Sequence, residues 1–329
     1  MKRIATAALL APALLAIGAR APRPEPVLRL GLPLACRIGI DCAVQNYVDD
    51  DPGPEAHDFL CRGRTYQGHN GTDFRIPSLL RLHQGVAVLA SAPGRVLRVR
   101  DGVPDISVRE RGTAAVANEE CGNGLVVDDG HGWETQYCHL AKGSLRVRPG
   151  QRVRTGTQLG WVGLSGDTEF PHVHLTVRKD GRVVDPFAYG AAPGSCGGGR
   201  MLWRDRLAYQ SGQVLVAGFA TRAVTMAEAQ ADGGVQQPRP TRAGPAMVAF
   251  VQAIGLEKGD VQTLAIIGPN ARTVVASEAA PLDHDKAQAI VDVGRKTPAG
   301  GWAPGVYQAN YAVRRNNTDV ILRTFQIVM

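Results

Sequence analysis

The 329-residue sequence predicts an all-β protein: a mainly antiparallel β-sheet domain followed by an immunoglobulin-like β-sandwich. Three observations carry that expectation. From about residue 84 to 188, short apolar runs such as "GVAVLA", "GRVLRVR" and "HVHLTVRKDGRVVDP" are broken by Gly at nearly every junction, the pattern of hairpins rather than helices. A Gly-rich break, "GAAPGSCGGGR" at 190–200, closes the part of the chain that holds all six cysteines. Beyond it, seven strand-like runs fill roughly 115 residues, as a seven-stranded sandwich requires. In "VYQANYAV" the period is two, with Tyr307, Ala309, Tyr311 and Val313 on one face.

Taken in order, residues 1–21 combine a basic start (Lys2, Arg3), a short apolar run and small residues at Ala19 and Ala21, which reads as a cleaved secretory signal peptide. No later segment approaches the ~18 consecutive apolar residues of a membrane span. An exported protein is expected, periplasmic or otherwise secreted. Removing residues 1–21 leaves 34 basic against 30 acidic residues. That mild basicity, without Lys/Arg clusters interleaved with aromatics, argues against a nucleic-acid partner. Residues 22–60 read as a passive, Pro-rich lead-in, residues 61–197 as the first domain and 198–329 as the second. The "MAEAQADGGVQQPRPTRAGPA" stretch reads as a long loop within the second domain.

Cys36, Cys42, Cys61, Cys121, Cys138 and Cys196 form an even set with no CxxC pair, so disulfides are expected and a cysteine zinc site is not. Proximity suggests Cys36–Cys42, a hairpin suggests Cys121–Cys138, and elimination leaves Cys61–Cys196. In "VVDDGHGWETQY" and "VRKDGRVV" the turn residues suit tight hairpins.

Three groups of histidines have suitable company. In "GHNGTDF", His69 and Asp73 sit four apart with Gly71 between them, so loop geometry could bring both to one cation. In "TQYCHL", His139 ends a hairpin strand. In "FPHVHLTV", His172 and His174 share one face of a strand. Zinc with nitrogen and oxygen donors takes three protein ligands when catalytic. His69, Asp73 and one of the two strand histidines would supply them, leaving the other and His139 to move protons near neutral pH. His57, His83, His131 and His284 are expected to be solvated, Trp133 and Trp161 to pack in the structure, and Arg75 to lie at the surface.

The ordered segments "HNGTD", "APGRVLRV", "YCHL", "GQRVRTGTQLGWVG", "HVHL" and "VVDPF" resemble the lysostaphin/LytM-type zinc metallopeptidases over residues 66–187. That resemblance implies one zinc ion per chain held by His69, Asp73 and His174, with His139 and His172 as catalytic histidines. It implies an endopeptidase acting on peptide cross-links of bacterial peptidoglycan, or, as in some relatives, a non-catalytic activator of other wall hydrolases. The second domain shows no catalytic signal and is a candidate surface for wall polymer or a protein partner. The charged stretch at 101–120 is longer than the family's usual link and is expected to border the groove.

Overall fold

A computed structural model describes residues 27–329; the expected signal peptide lies outside the described residues. The first layer contains β1 (Ala43–Asn46), β2 (Thr72–Arg75), β3 (Ala87–Leu89), β4 (Gly94–Arg100), β5 (Asn123–Gly130), β6 (Trp133–Leu140), β7 (Arg152–Val153), β8 (Gln158–Trp161), β9 (His172–Lys179) and β10 (Arg182–Val183). The main sheet runs β1-β2-β9-β6-β5-β4-β7, with β10 on β9, and β3-β8 form a small second sheet. Every pairing is antiparallel.

Strand alternation decides what faces where. On β9, Val173, Leu175 and Val177 are buried in a core shared with Phe74, Val88, Tyr137 and Leu159. The intervening His172, His174 and Thr176 are thereby turned to the opposite face. Phe74 faces the core from β2, so Asp73 and Arg75 share the histidine face, paired in register with His174 and His172. Two tight hairpins fix these strands. His131 and Gly132 join β5 to β6, and Asp180 and Gly181 join β9 to β10, all four at positive φ as a two-residue hairpin loop demands.

The segment read as a lead-in is built into this layer. β1 forms the edge of the main sheet against β2, and Leu28, Leu30, Leu34, Tyr47 and Phe59 join its core. The three expected disulfides, Cys36–Cys42, Cys61–Cys196 and Cys121–Cys138, are all formed.

The second layer is a two-sheet sandwich of β11 (Gln213–Ala220), β12 (Ala246–Leu256), β13 (Val261–Ile267), β14 (Thr273–Glu278), β15 (Lys286–Lys296), β16 (Val306–Arg315) and β17 (Thr318–Val328). One sheet is β11-β12-β15 and the other β14-β13-β16-β17. Met247, Ala249 and Val251 from the first meet Leu264, Tyr307, Ala309, Tyr311 and Val313 from the second. In a constant-type immunoglobulin domain the fourth strand joins the first, second and fifth. In this sandwich β14 instead pairs with β13, dividing the strands three and four. The expected long loop is also corrected, because Met226–Asp232 is a helix. Thr225 and Glu228 close a capping box at its start, satisfying two orphan N–H groups reciprocally.

Among the described residues no helix is long and apolar enough to cross a membrane.

Candidate metal centre and its flanking histidines

His69 is delivered by the loop entering β2, where its Nδ1–H donates to the Tyr47 carbonyl at 2.6 Å. That bond commits the proton to Nδ1 and leaves a lone pair on Nε2. His174 projects from β9, and its Nε2 lies 3.0 Å from Asn70 Oδ1 and 3.1 Å from Thr176 Oγ1. A proton donated from Nε2 to Asn70 leaves Nδ1 as an acceptor as well.

These two lone pairs converge with the Asp73 carboxylate. His69 Nε2 is 3.1 Å from His174 Nδ1 and 3.2 Å from Asp73 Oδ2, and His174 Nδ1 is 2.9 Å from Asp73 Oδ1. Three acceptors this close repel one another unless a cation lies among them. His69 and Asp73 are 3% and 2% exposed, so bulk water does not relieve that repulsion. The donor set can hold a metal ion, and its mix of two imidazoles and one carboxylate suits zinc. A proton shared among these rings can take the cation's place: burial by itself would raise the Asp73 pKa, but protonated His69 and His172 rings and hydrogen bonds from His172 and His174 hold it well below the usual carboxylate range. Asp73 Oδ2 also accepts from Asn46 Nδ2 at 2.8 Å.

Two more imidazoles complete the cluster. His139 should point into the core with Tyr137 if β6 alternated regularly. It does not, because Cys138 and His139 together oppose the single residue Gly124 between the Leu125–Tyr137 and Asn123–Leu140 pairs. This bulge, with His139 at φ 64°, turns the ring to the site face. Its Nδ1–H donates to the Ser165 carbonyl at 2.8 Å. Burial, and then the neighbouring His172 and His174, push the His139 pKa well below the usual imidazole range. His172 donates from Nδ1 to the Phe170 carbonyl at 2.9 Å, and its Nε2 is 3.3 Å from Asp73 Oδ1. The His139 and His172 rings lie 4.6 Å apart.

All five residues singled out from the sequence are therefore gathered into one cluster, while His83, His131 and His284 are exposed and His57 pairs with Asp51 at 2.8 Å. Trp133 is buried. Arg75 departs from expectation: it is 1% exposed, its guanidinium Cζ lying over the Phe170 ring, 4.2 Å from the centroid. Burial lowers its pKa to about 9. The supporting atoms of Asn46, Asn70, Tyr47 and Ser165 were not anticipated. For Asn46 and Tyr47 the signal was the short alternation "AVQNY" inside the supposed lead-in. As expected, the 101–120 stretch borders the groove, through Val108 and Thr113.

An antiparallel sheet that turns two histidines and an aspartate to one buried point, beside two further imidazoles, is the framework of a metallopeptidase. Residues 67–186 match Peptidase family M23, and this part of the chain is a domain of that family. The cell division protein DipM of Caulobacter vibrioides is 31% identical over 128 residues, covering 37% of this chain and 17% of that one. The peptidoglycan DD-endopeptidase ShyA of Vibrio cholerae is 31% identical over 117 residues, 36% of this chain and 22% of its own. The DD-carboxypeptidase/endopeptidase Mpg of Neisseria meningitidis is 32% identical over 149 residues, 45% of this chain and 28% of its own. The chain thus spans less than a third of the length of each of these relatives.

Proposed function

We propose that the protein is an exported, zinc-dependent endopeptidase that hydrolyses peptide cross-links of bacterial peptidoglycan, in the periplasm or otherwise as a secreted enzyme. The observation that carries this reading is the mutual approach of three acceptors, His69 Nε2, His174 Nδ1 and the Asp73 carboxylate, with two imidazoles beside them. The relative named as a peptidoglycan DD-endopeptidase, ShyA, supports the substrate class.

His69, Asp73 and His174 would hold the ion. When bound, zinc supplies Lewis acidity toward the scissile carbonyl and toward water. The Tyr47 carbonyl and Asn70 side chain fix the tautomers of the two histidine ligands, so that the correct nitrogen is presented. His139, its Nδ1–H committed to Ser165, has only Nε2 with which to take a proton from the attacking water and return it to the leaving amine. Its depressed pKa keeps it neutral and ready as a base near pH 7. His172, its Nδ1–H held by the Phe170 carbonyl, directs Nε2 at the developing oxyanion and donates to it once that nitrogen carries a proton as well.

Metal content and hydrolysis of a cross-linked muropeptide, measured on the same preparations, test this directly. Wild type should carry one zinc and cleave. His174→Ala should lose both metal and activity, whereas His139→Ala should keep the metal and lose at least about 100-fold in kcat. A fully active His139→Ala variant would remove its assigned role.

A further inference from the structure

The largest groove at the metal centre is not confined to the M23 domain. A cavity of about 710 Å3 is lined on one side by Asp73, His139 and His172, and on the other by Gly255–Glu257 and Asp285–Ala287 of the sandwich. We infer that the sandwich is part of the peptidase site: it forms the second wall of the groove, and through Gln288 it fixes Arg75 as a positioning residue for His172. The inference rests on the peptidase reading above.

The connection is continuous. Gln288, on β15, accepts at Oε1 from Arg75 Nη2 at 2.9 Å, and also from Gln230 and Gln252 at 3.1 and 3.2 Å. Three donors on one oxygen leave it little freedom to turn away. Arg75 donates its other arm, Nη1, to Gln45 Oε1 at 2.9 Å, and Gln45 in turn donates to the Ala287 carbonyl at 3.1 Å. The guanidinium is thus clamped between β1 and β15, with its Cζ over the Phe170 ring, 4.2 Å from the centroid. Phe170 supplies the carbonyl that holds His172 Nδ1 and sets its ring 4.9 Å from that of His172. Arg75 is also the cross-strand partner of His172. Sandwich, arginine, phenylalanine and histidine therefore form one chain of contacts, and a buried arginine on the catalytic face has a reason to be there.

The wall and the strut make separable demands on kinetics. Ala287 is exposed at the groove, so Ala287→Trp narrows it and should raise KM for a cross-linked peptide several-fold with kcat little changed. Gln288→Leu and Arg75→Met release the clamp and should lower kcat about tenfold, because small misplacements of a catalytic group are costly. Arg75→Lys, which keeps the charge without the fork, should recover only part of the loss. Zinc content should be unchanged in all four variants. Independently of turnover, nitrogen-15 NMR of imidazoles in the metal-free full-length chain should show His172 as the Nδ1–H tautomer in wild type and as a mixture in Gln288→Leu.

Unchanged kcat and unchanged His172 tautomer in Gln288→Leu and Arg75→Met would overturn the strut, and unchanged KM in Ala287→Trp would overturn the wall. If wild type itself cleaves nothing, the peptidase reading fails, and the tautomer measurement still decides whether the sandwich orders His172.

Discussion

Single residues carry most of the chemistry, and their protonation is set by named neighbours. Asp185, in the "VVDPF" segment, is 8% exposed and has one oxygen, Oδ2, without a hydrogen-bond partner. Burial pushes its pKa up to about 7, against the N–H of Phe187, which lowers it, with Asp50 and Asp58 adding to the rise. Below about pH 4 the carboxyl is neutral whether the chain is folded or not. Between there and about 7 the unfolded chain releases the proton and the folded one retains it, so stability falls as pH rises and levels off above the folded value. Asp185→Asn should abolish that slope and stabilise the protein at pH 8 by on the order of 3 kcal/mol, read from urea unfolding at several pH values. A second change at this scale probes the metal centre. Asp73→Asn keeps the shape of the side chain but removes its charge, and should weaken zinc binding by about 100-fold or more in a competitive chelator titration.

At the scale of elements, the geometry of the histidine cluster depends on one irregularity. The β6 bulge turns His139 outward, and it sits opposite Gly124, where a Cβ would run into the Tyr137 carbonyl. Gly124→Ala should therefore cost about 1–3 kcal/mol and lower kcat more than zinc content, because it displaces the strand beside His139 and not the ligands. The Cys121–Cys138 disulfide closes a 17-residue separation next to the same bulge. Its double Cys→Ser variant should lose about 3 kcal/mol and part of the activity.

The regular elements were legible in the sequence. All seven sandwich strands fall on apolar runs bounded by turn residues, and "FPHVHLTV" shows its two faces in its spelling. The bulge was not legible, since "QYCHL" reads as plain alternation and only the pairing with β5 shows the extra residue. The helix at Met226–Asp232 was announced by the "TMAE" capping box, but its Gly- and Pro-rich continuation drew the reading toward loop.

In the whole molecule, the two layers share a seam that composition could not reveal. Gln210 N donates to the Tyr47 hydroxyl at 2.8 Å, alongside the Gln45–Ala287 and Arg75–Gln288 bonds. These contacts join residues more than 160 positions apart, and none lies on an apolar period that a sequence scan would detect. Arg75 read as a surface residue for the same reason: its burial depends on Gln45 and Gln288, which the sequence places far away. His172 and His174, by contrast, were legible because their spacing encodes a strand face directly, whereas His139 was found from its company in "YCHL" and reaches the site only through the bulge. Zinc should also stabilise the entire fold. With free zinc about 1,000-fold above its Kd, removal by chelator should cost about 4 kcal/mol and lower the melting temperature, an effect that His174→Ala should erase.

The most direct measurement is digestion of purified sacculi by the mature protein, with released muropeptides identified by mass spectrometry in the presence and absence of chelator. The expected result is conversion of cross-linked dimers to monomers that chelator blocks, zinc restores and His139→Ala fails to produce. Sacculi of several cross-link chemistries left intact by zinc-loaded wild type would contradict the account and favour a non-catalytic wall-hydrolase activator built on the same site.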